Sequence, residues 1–212
     1  MRHGGTTLPE TGNMGLRDLV TRNRSCRRFD ESFQVDRKVL EELVGLACLT
    51  PSAANRQPIR YLPVTDPAVA AKVFSCLKWA GYLKAWPGPA DGERPTAYLV
   101  MFCLGDQATA AACDSGIAAQ TILLGATEQG LGGCIIGAVD RSRLMSELEI
   151  PETWAVLMVI ALGRPAETVV VDLIDDDGDI RYWRDRHGIH HVPKRKVADM
   201  MVTIETLQRD RP

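Results

Sequence analysis

Four arginines, Arg22, Arg24, Arg27 and Arg28, fall within seven residues with no acid among them, and the run closes on Phe29. Guanidinium forks match phosphate oxygens, and a serine hydroxyl adds one more bond. The arginine run with Ser25 is therefore a candidate phosphate site, although a solvated basic loop has the same composition. A second cluster, Pro51-Ser52-Ala53-Ala54-Asn55-Arg56-Gln57-Pro58, gathers two amides and a hydroxyl. Asn and Gln offer donor and acceptor together, as a ring with alternating imide N–H and carbonyl groups requires. An ordinary capped turn accounts for it equally. The third is Gly130-Leu131-Gly132-Gly133-Cys134-Ile135-Ile136-Gly137, where glycines let backbone approach a flat ligand. A helix stop followed by a tight turn is the alternative. The order helix, glycines, strand is not the dinucleotide fingerprint, which needs strand, glycines, helix.

The fourth cluster, His187 to Lys196, holds three histidines but no nearby carboxylate or cysteine to complete a metal site. Lys194 or Arg195 as a phosphate ligand is the better use of it, and no metal is expected. No Ser-His-Asp order, nucleophile elbow or phosphate-loop lysine motif occurs. A catalyst built from this chain would take its chemistry from a cofactor.

These groups need a scaffold, and 212 residues, 45% of them hydrophobic, suffice for one sizeable core. The 25 basic residues against 27 acidic ones give no electrostatic ground for nucleic acid or an anionic membrane as partner. No apolar run reaches the roughly 18 residues of a membrane helix. Residues 1–13 are polar and read as a flexible leader to a single domain over 14–212, and the expected location is cytoplasmic. The six cysteines form no Cys-x-x-Cys pair and read as free, mostly buried thiols.

Helical spacing appears at Leu16, Leu19 and Val20, and again from Val39 to Ala47 before Pro51. Asp66-Pro67 is a capped helix start, predicting a helix towards Trp79. Thr96–Leu104 and Trp154–Leu162 read as buried strands. Between them a small-residue helix is expected from about Ala108 to Gln129, stopped at Gly130, with alanines and Gly116 permitting close helix approach. Ser142–Leu148 reads as a short helix. Residues 82–95, rich in Gly and Pro, are the best candidate for a mobile loop. Past Val169 only a pattern of acids followed by bases is legible.

In this order the pieces resemble the nitroreductase family of FMN enzymes. Arg24-Ser25-x-Arg27-x-Phe29 is similar to its N-terminal phosphate motif, and Pro51-Ser52-x-x-Asn55-x-Gln57-Pro58 to its second motif, where a tryptophan commonly follows and here stands Ile59. Gly130-Leu131-Gly132, Ile136-Gly137 and Leu162-Gly163-x-Pro165 continue the likeness. The tail from Tyr182-Trp183-Arg184-Asp185 through His190-His191-Val192-Pro193-Lys194-Arg195 resembles one branch of the family, and the whole match covers about residues 14–203.

The resemblance implies an α+β fold: a central, mostly antiparallel mixed sheet flanked by helices in an intertwined homodimer, with a C-terminal extension. It implies that Arg24, Ser25 and Lys194 or Arg195 hold the FMN phosphate, and that Arg27 lies near flavin N1 and the C2 carbonyl. Pro51, Ser52, Ala53, Asn55 and Gln57 would reach the flavin from the partner subunit. The backbone of Ile135, Ile136 and Gly137 would approach N5, the atom that accepts hydride, so no side chain is expected to be catalytic. The implied activity takes hydride from NADH or NADPH and reduces nitroaromatics, quinones or related small acceptors in two steps. Alternatives are a specialised flavin reaction, such as reductive dehalogenation or flavin fragmentation, and FMN storage without turnover.

Overall fold

The computed structural model describes residues 15–209, so the leader expected over 1–13 lies outside the described residues. The described chain forms two compact units: residues 15–79 with 86–166, and residues 80–85 with 167–209. None of the described helices is long and apolar enough to cross a membrane.

The first unit contains α1 (Leu16–Arg22), α2 (Arg37–Cys48), β1 (Arg60–Val64), α3 (Pro67–Ser75), β2 (Ala97–Leu104), α4 (Ala111–Glu128), β3 (Gly132–Ile136), α5 (Arg141–Glu147) and β4 (Trp154–Gly163). The strands form one antiparallel sheet in the order β1-β2-β4-β3. β2 and β4, the two apolar runs of the sequence, pair at its centre because only a strand covered on both faces accepts unbroken apolar residues. Leu99, Met101, Ile160 and Leu162 pack on one face with Leu40 and Leu43 of α2 and Ile122 and Leu123 of α4. Val100, Phe102, Val159 and Ala161 pack on the other with Val73 of α3 and Leu144 of α5.

Local chemistry sets the helix ends. The Asp36 carboxylate accepts the Lys38 N–H to open α2, and that of Asp66 accepts the Ala68 and Val69 N–H groups ahead of α3. α3 stops at Ser75, short of the expected Trp79. Its next residues turn to the loop after β3, where Leu77 bridges Val139 and the Lys78 N–H donates to the Ala138 carbonyl. α4 starts three residues later than expected, after a 3-10 turn over Gly105–Gln107. It ends as expected: Gly130 takes a φ of 74°, and the Leu131 N–H reaches back to the Ala126 carbonyl. Within the chain α4 and α2 approach closely at Gly125, against Leu43 and Leu46, and not at Gly116, which faces open space.

In the second unit, β5 (Val169–Ile174), β6 (Trp183–Arg184) and β7 (His190–Arg195) form a sheet ordered β5-β7-β6, followed by α6 (Val197–Met200) and α7 (Ile204–Arg209). β5 and β7 run parallel, which the charge pattern of this stretch had concealed. Arg184 pairs with Glu167 at 2.7 Å, and Trp183 stacks on His191 at 4.1 Å. The Gly/Pro-rich stretch read as a mobile loop is divided between the units. Its later part is fastened: the Glu31 carboxylate accepts the Gly92 and Arg94 N–H groups, and Glu93 pairs with Arg28. All six cysteines are free thiols, with Cys48 and Cys113 exposed and the other four buried.

Gly133 is the tightest point of the sheet. A Cβ there would lie 2.5 Å from Leu123 Cδ2 and 2.7 Å from the Ala161 carbonyl oxygen. Gly133→Ala is therefore expected to lower stability by about 1–3 kcal/mol, as overpacked cores do, read from the urea midpoint.

Candidate functional site

The basic segment leaves α1 and runs beside β3. Ser25 bridges Gly133 in parallel, and the Cys26 N–H donates to the Gly133 carbonyl at 2.9 Å. Phe29 then bridges Pro165 beyond the end of β4. The backbone of Gly133 thus faces outward from the sheet towards residues 25–26. Strand groups alternate with a period of two, so Ile135 turns its N–H and carbonyl to the same outer edge. β3 is an edge strand, and both Ile135 and Gly137 are exposed while Ile136 is buried. The sheet therefore puts Ser25 beside Gly133, two residues before Ile135 on the same strand edge.

Each arginine is held differently. Arg24 turns back on α1, donating from Nε to the Asn23 carbonyl and from Nη2 to the Val20 carbonyl at 2.8 Å, and so covers carbonyls the helix end leaves bare. Arg27 donates from Nη1 to the Ser25 carbonyl at 3.4 Å. Arg28 forms a forked pair with Glu93, which neutralises it. The segment is braced further by Asp30, whose carboxylate accepts from Ser32 and pairs with Arg164. Those hydrogen bonds, Ser32's first and then Arg164's, hold its pKa at about 2 against an ordinary 3.8.

The second motif lies elsewhere in the same unit. Residues 53–55 make a 3-10 turn in which Ala54 (φ 49°) and Asn55 (φ 52°) are left-handed, as is Gln57 (φ 47°). Such backbone in a residue other than glycine costs on the order of 1 kcal/mol or more and persists only where surroundings impose it. Asp114 of α4, 5% exposed, imposes it. Its carboxylate accepts the Ser52 hydroxyl at 2.6 Å and the Ala53 N–H at 3.2 Å, while Ser52 Oγ accepts the Gln57 N–H at 2.9 Å. The Ser52 hydroxyl is thus committed inward. The amides of Asn55 and Gln57 are exposed and bonded to each other, Gln57 Nε2 donating to Asn55 Oδ1 at 3.0 Å. Each keeps unused donors or acceptors for a ring edge.

Asp114, which braces the candidate loop, is a residue that the motif reading missed. Its signal was present: it follows Ala111 by three and precedes Ala118 by four, a lone acid on the face of α4 that enters the core.

The two segments are anchored at opposite ends of α4. The Asn23 side chain donates to Thr127 Oγ1 near its C-terminus, and Ser52 bonds Asp114 near its N-terminus. Thirteen residues at 1.5 Å each separate these anchors by about 20 Å along the axis. In the second unit, Arg195 is engaged by Asp176 at 3.1 Å, whereas the exposed Lys194 makes no ion pair among the described residues. No group of His, Cys, Asp and Glu that could hold a metal ion occurs among the described residues.

Comparison with known proteins gives the same outline. The family model described as "Nitroreductase family" matches residues 20–83 and 104–164. A curated relative from Rhodospirillum rubrum, named 5,6-dimethylbenzimidazole synthase, is 26% identical over 208 residues, spanning 85% of this chain and 94% of its own. A putative NADH dehydrogenase/NAD(P)H nitroreductase from Archaeoglobus fulgidus is 26% identical over 163 residues, 72% of this chain and 86% of its own. Among solved structures, the FMN-dependent nitroreductase of Clostridium difficile R20291 superposes with a TM-score of 0.59 at 23% identity, covering 70% of this chain and 87% of that one.

Two outcomes test the braces. Asp114→Ala should destabilise the protein by about 1.5–3 kcal/mol, the scale of a charge-assisted bond, and speed deuterium exchange at the Gln57 amide. Because the pKa of Asp30 is depressed in the folded state, its stabilisation is present above roughly pH 4 and is lost as pH falls towards 2. Urea midpoints measured from pH 5 to pH 2 should therefore fall less steeply in Asp30→Asn than in wild type.

Proposed function

The chain belongs to the nitroreductase family, and from that premise we propose that it is an FMN-dependent oxidoreductase. It takes hydride from NADH or NADPH and passes electrons to a small acceptor of the nitroaromatic or quinone type. The observation that carries this reading is the pairing of the basic segment with β3, which sets phosphate-type ligands beside an open strand edge. Relatives named as NAD(P)H nitroreductase and FMN-dependent nitroreductase support the cofactor and the reductant.

The residues present fit FMN. Arg24 and Ser25 would hold the phosphate. Arg27 would supply a cation for N1 and the C2 carbonyl, where it would favour negative charge on the reduced ring. The exposed backbone at Ile135 and Gly137 would be the part of the strand end offered to N5. When bound, FMN supplies the two-electron chemistry that no side chain of this site offers.

The protein works as a homodimer on this reading. Asn55 and Gln57 and the 24–28 segment are meant for one ring, yet a single chain anchors them about 20 Å apart on α4. A second copy brings the two together. The outer side of α4 supplies a surface for it: Cys113, Gly116, Ile117 and Gln120 recur at helical spacing and are exposed, and Gly116 has nothing beside it. A specialised flavin reaction is the second reading, favoured by the near full-length alignment with the 5,6-dimethylbenzimidazole synthase. The appearance of that product on aerobic incubation with reduced FMN selects it, and turnover of nitroaromatic or quinone acceptors under anaerobic conditions selects the first.

The test of the shared site mixes two variants that each lose flavin, Arg24→Ala with Arg27→Ala, and Asn55→Ala with Gln57→Ala. A heterodimer places both damaged halves in one pocket and leaves the other intact. Re-formed heterodimers should regain about half the FMN of the wild-type dimer, with a matching gain in thermal stability. Heterodimers that form without regaining flavin rule the shared site out.

A further inference from the structure

β3 parts from β4 after Ile136, which faces Val159, and the chain turns at Gly137. The adjoining part of β4 then has lost its strand neighbour on that side. Its pairing with β2 on the other side slips here: Met101 faces Met158 and Phe102 faces Val156, so Leu157 is an extra, bulged residue. A bulge of this kind locally breaks the alternation of the backbone. The carbonyls of Val156 and Leu157 both turn to the vacated edge, where one side chain takes them. Arg141, the first residue of α5, donates from Nε to Val156 at 2.9 Å and from Nη2 to Leu157 at 3.0 Å. The same Nη2 reaches the Gly137 carbonyl at 3.3 Å. No carboxylate pairs with this guanidinium among the described residues; its neighbours are three backbone carbonyls.

Gly137 needs such a hold. It is exposed, a Cβ there would meet nothing within 4 Å, and its carbonyl otherwise accepts only the nearby Val139 N–H at 3.0 Å. The hydrogen bonds from Lys78 to Ala138 and from Asp140 to Cys76 secure the loop one and three residues further on. The guanidinium therefore ties the free end of β3 to the bulge of β4. Three acceptors in different directions require a fork, which a single ammonium does not match.

We infer that Arg141 is a positioning residue for hydride transfer, fixing the Ile136–Gly137 backbone against β4 so that the strand end presents a constant surface to the flavin. The inference rests on the proposed FMN site. The geometry needed at a reacting centre is strict, and a displacement of about 1 Å costs on the order of a hundredfold in rate.

The experiment compares wild type, Arg141→Met and Arg141→Lys, each loaded with FMN, in single anaerobic turnovers with saturating NADH or NADPH. Arg141→Met should retain stoichiometric FMN, yet its flavin should bleach about ten- to a hundredfold more slowly. Arg141→Lys, which keeps the charge and covers a failure of the methionine variant to fold, should also be slow. In the FMN-free proteins, amides 136–138 should exchange faster with deuterium in both variants than in wild type. Bleaching or exchange at the wild-type rate in folded Arg141→Met overturns the inference, and so does full rescue by lysine, which assigns the effect to charge. A wild-type protein that binds no FMN refutes the functional proposal separately, and the exchange arm still decides whether Arg141 holds the turn.

Discussion

Helix α4 packs its long buried face, Ala118, Ala119, Ile122, Leu123 and Ala126, against the β2–β4 centre of the sheet and against α2. That burial fixes the rest of the first unit. Small side chains allow a close approach, and at Gly125 the helix admits Leu43 and Leu46 of α2 where any larger residue would collide. A rod held this firmly makes its two ends reference points. Loop 52–57 is defined by Asp114 near one end, and the segment after α1 by Thr127 near the other. The spacing of the candidate binding groups is thus a consequence of core packing.

A sheet with both faces covered leaves only its edges and loops for ligand chemistry. Here one edge of β3 is half used. Residues 25–26 pair with Gly133, and beyond that point Ile135 has no strand partner on the outer edge, its carbonyl accepting only the Cys134 thiol at 3.5 Å among the described residues. Ion pairs hold the approaching segment in place, Arg28 with Glu93 and Arg164 with Asp30. Half-exposed pairs of this kind add modestly to stability, but they set where the chain runs. Strain gathers in loop 52–57, where Ala54, Asn55 and Gln57 adopt left-handed backbone next to the amides proposed to meet the flavin; Ala80 and Glu149 share that conformation elsewhere.

Much of this was legible in the chain. The two unbroken apolar runs could only be central strands, and Asp66-Pro67 and Gly130 marked helix ends by their own backbone preferences. The basic, amide-rich and glycine-rich motifs were visible by type and order. The end of α3 was not, because residues 77–78 leave the helix to bond a loop sixty positions away. The parallel pairing of β5 with β7 was equally hidden, since their alternation of apolar and charged residues does not state a partner. Arg28 looked identical to Arg24 in sequence, yet only Arg28 is neutralised by Glu93, a residue from a loop that reads as unstructured.

By itself the sequence determined the mixture of helices and strands, the buried strands, the capped helices and the identity of the polar groups offered to a ligand, all set by local preference or by the period of burial. Tertiary structure alone decided which of those groups are committed and which are open. The Ser52 hydroxyl is turned in to Asp114, Arg141 is spread over three carbonyls, and Gly116 faces outward while Gly125 takes the helix contact. Each of these depends on a residue distant in the chain, and the direction of a hydrogen bond or the space beside a Cα has no local signature. A sequence lists the donors; only packing assigns their acceptors.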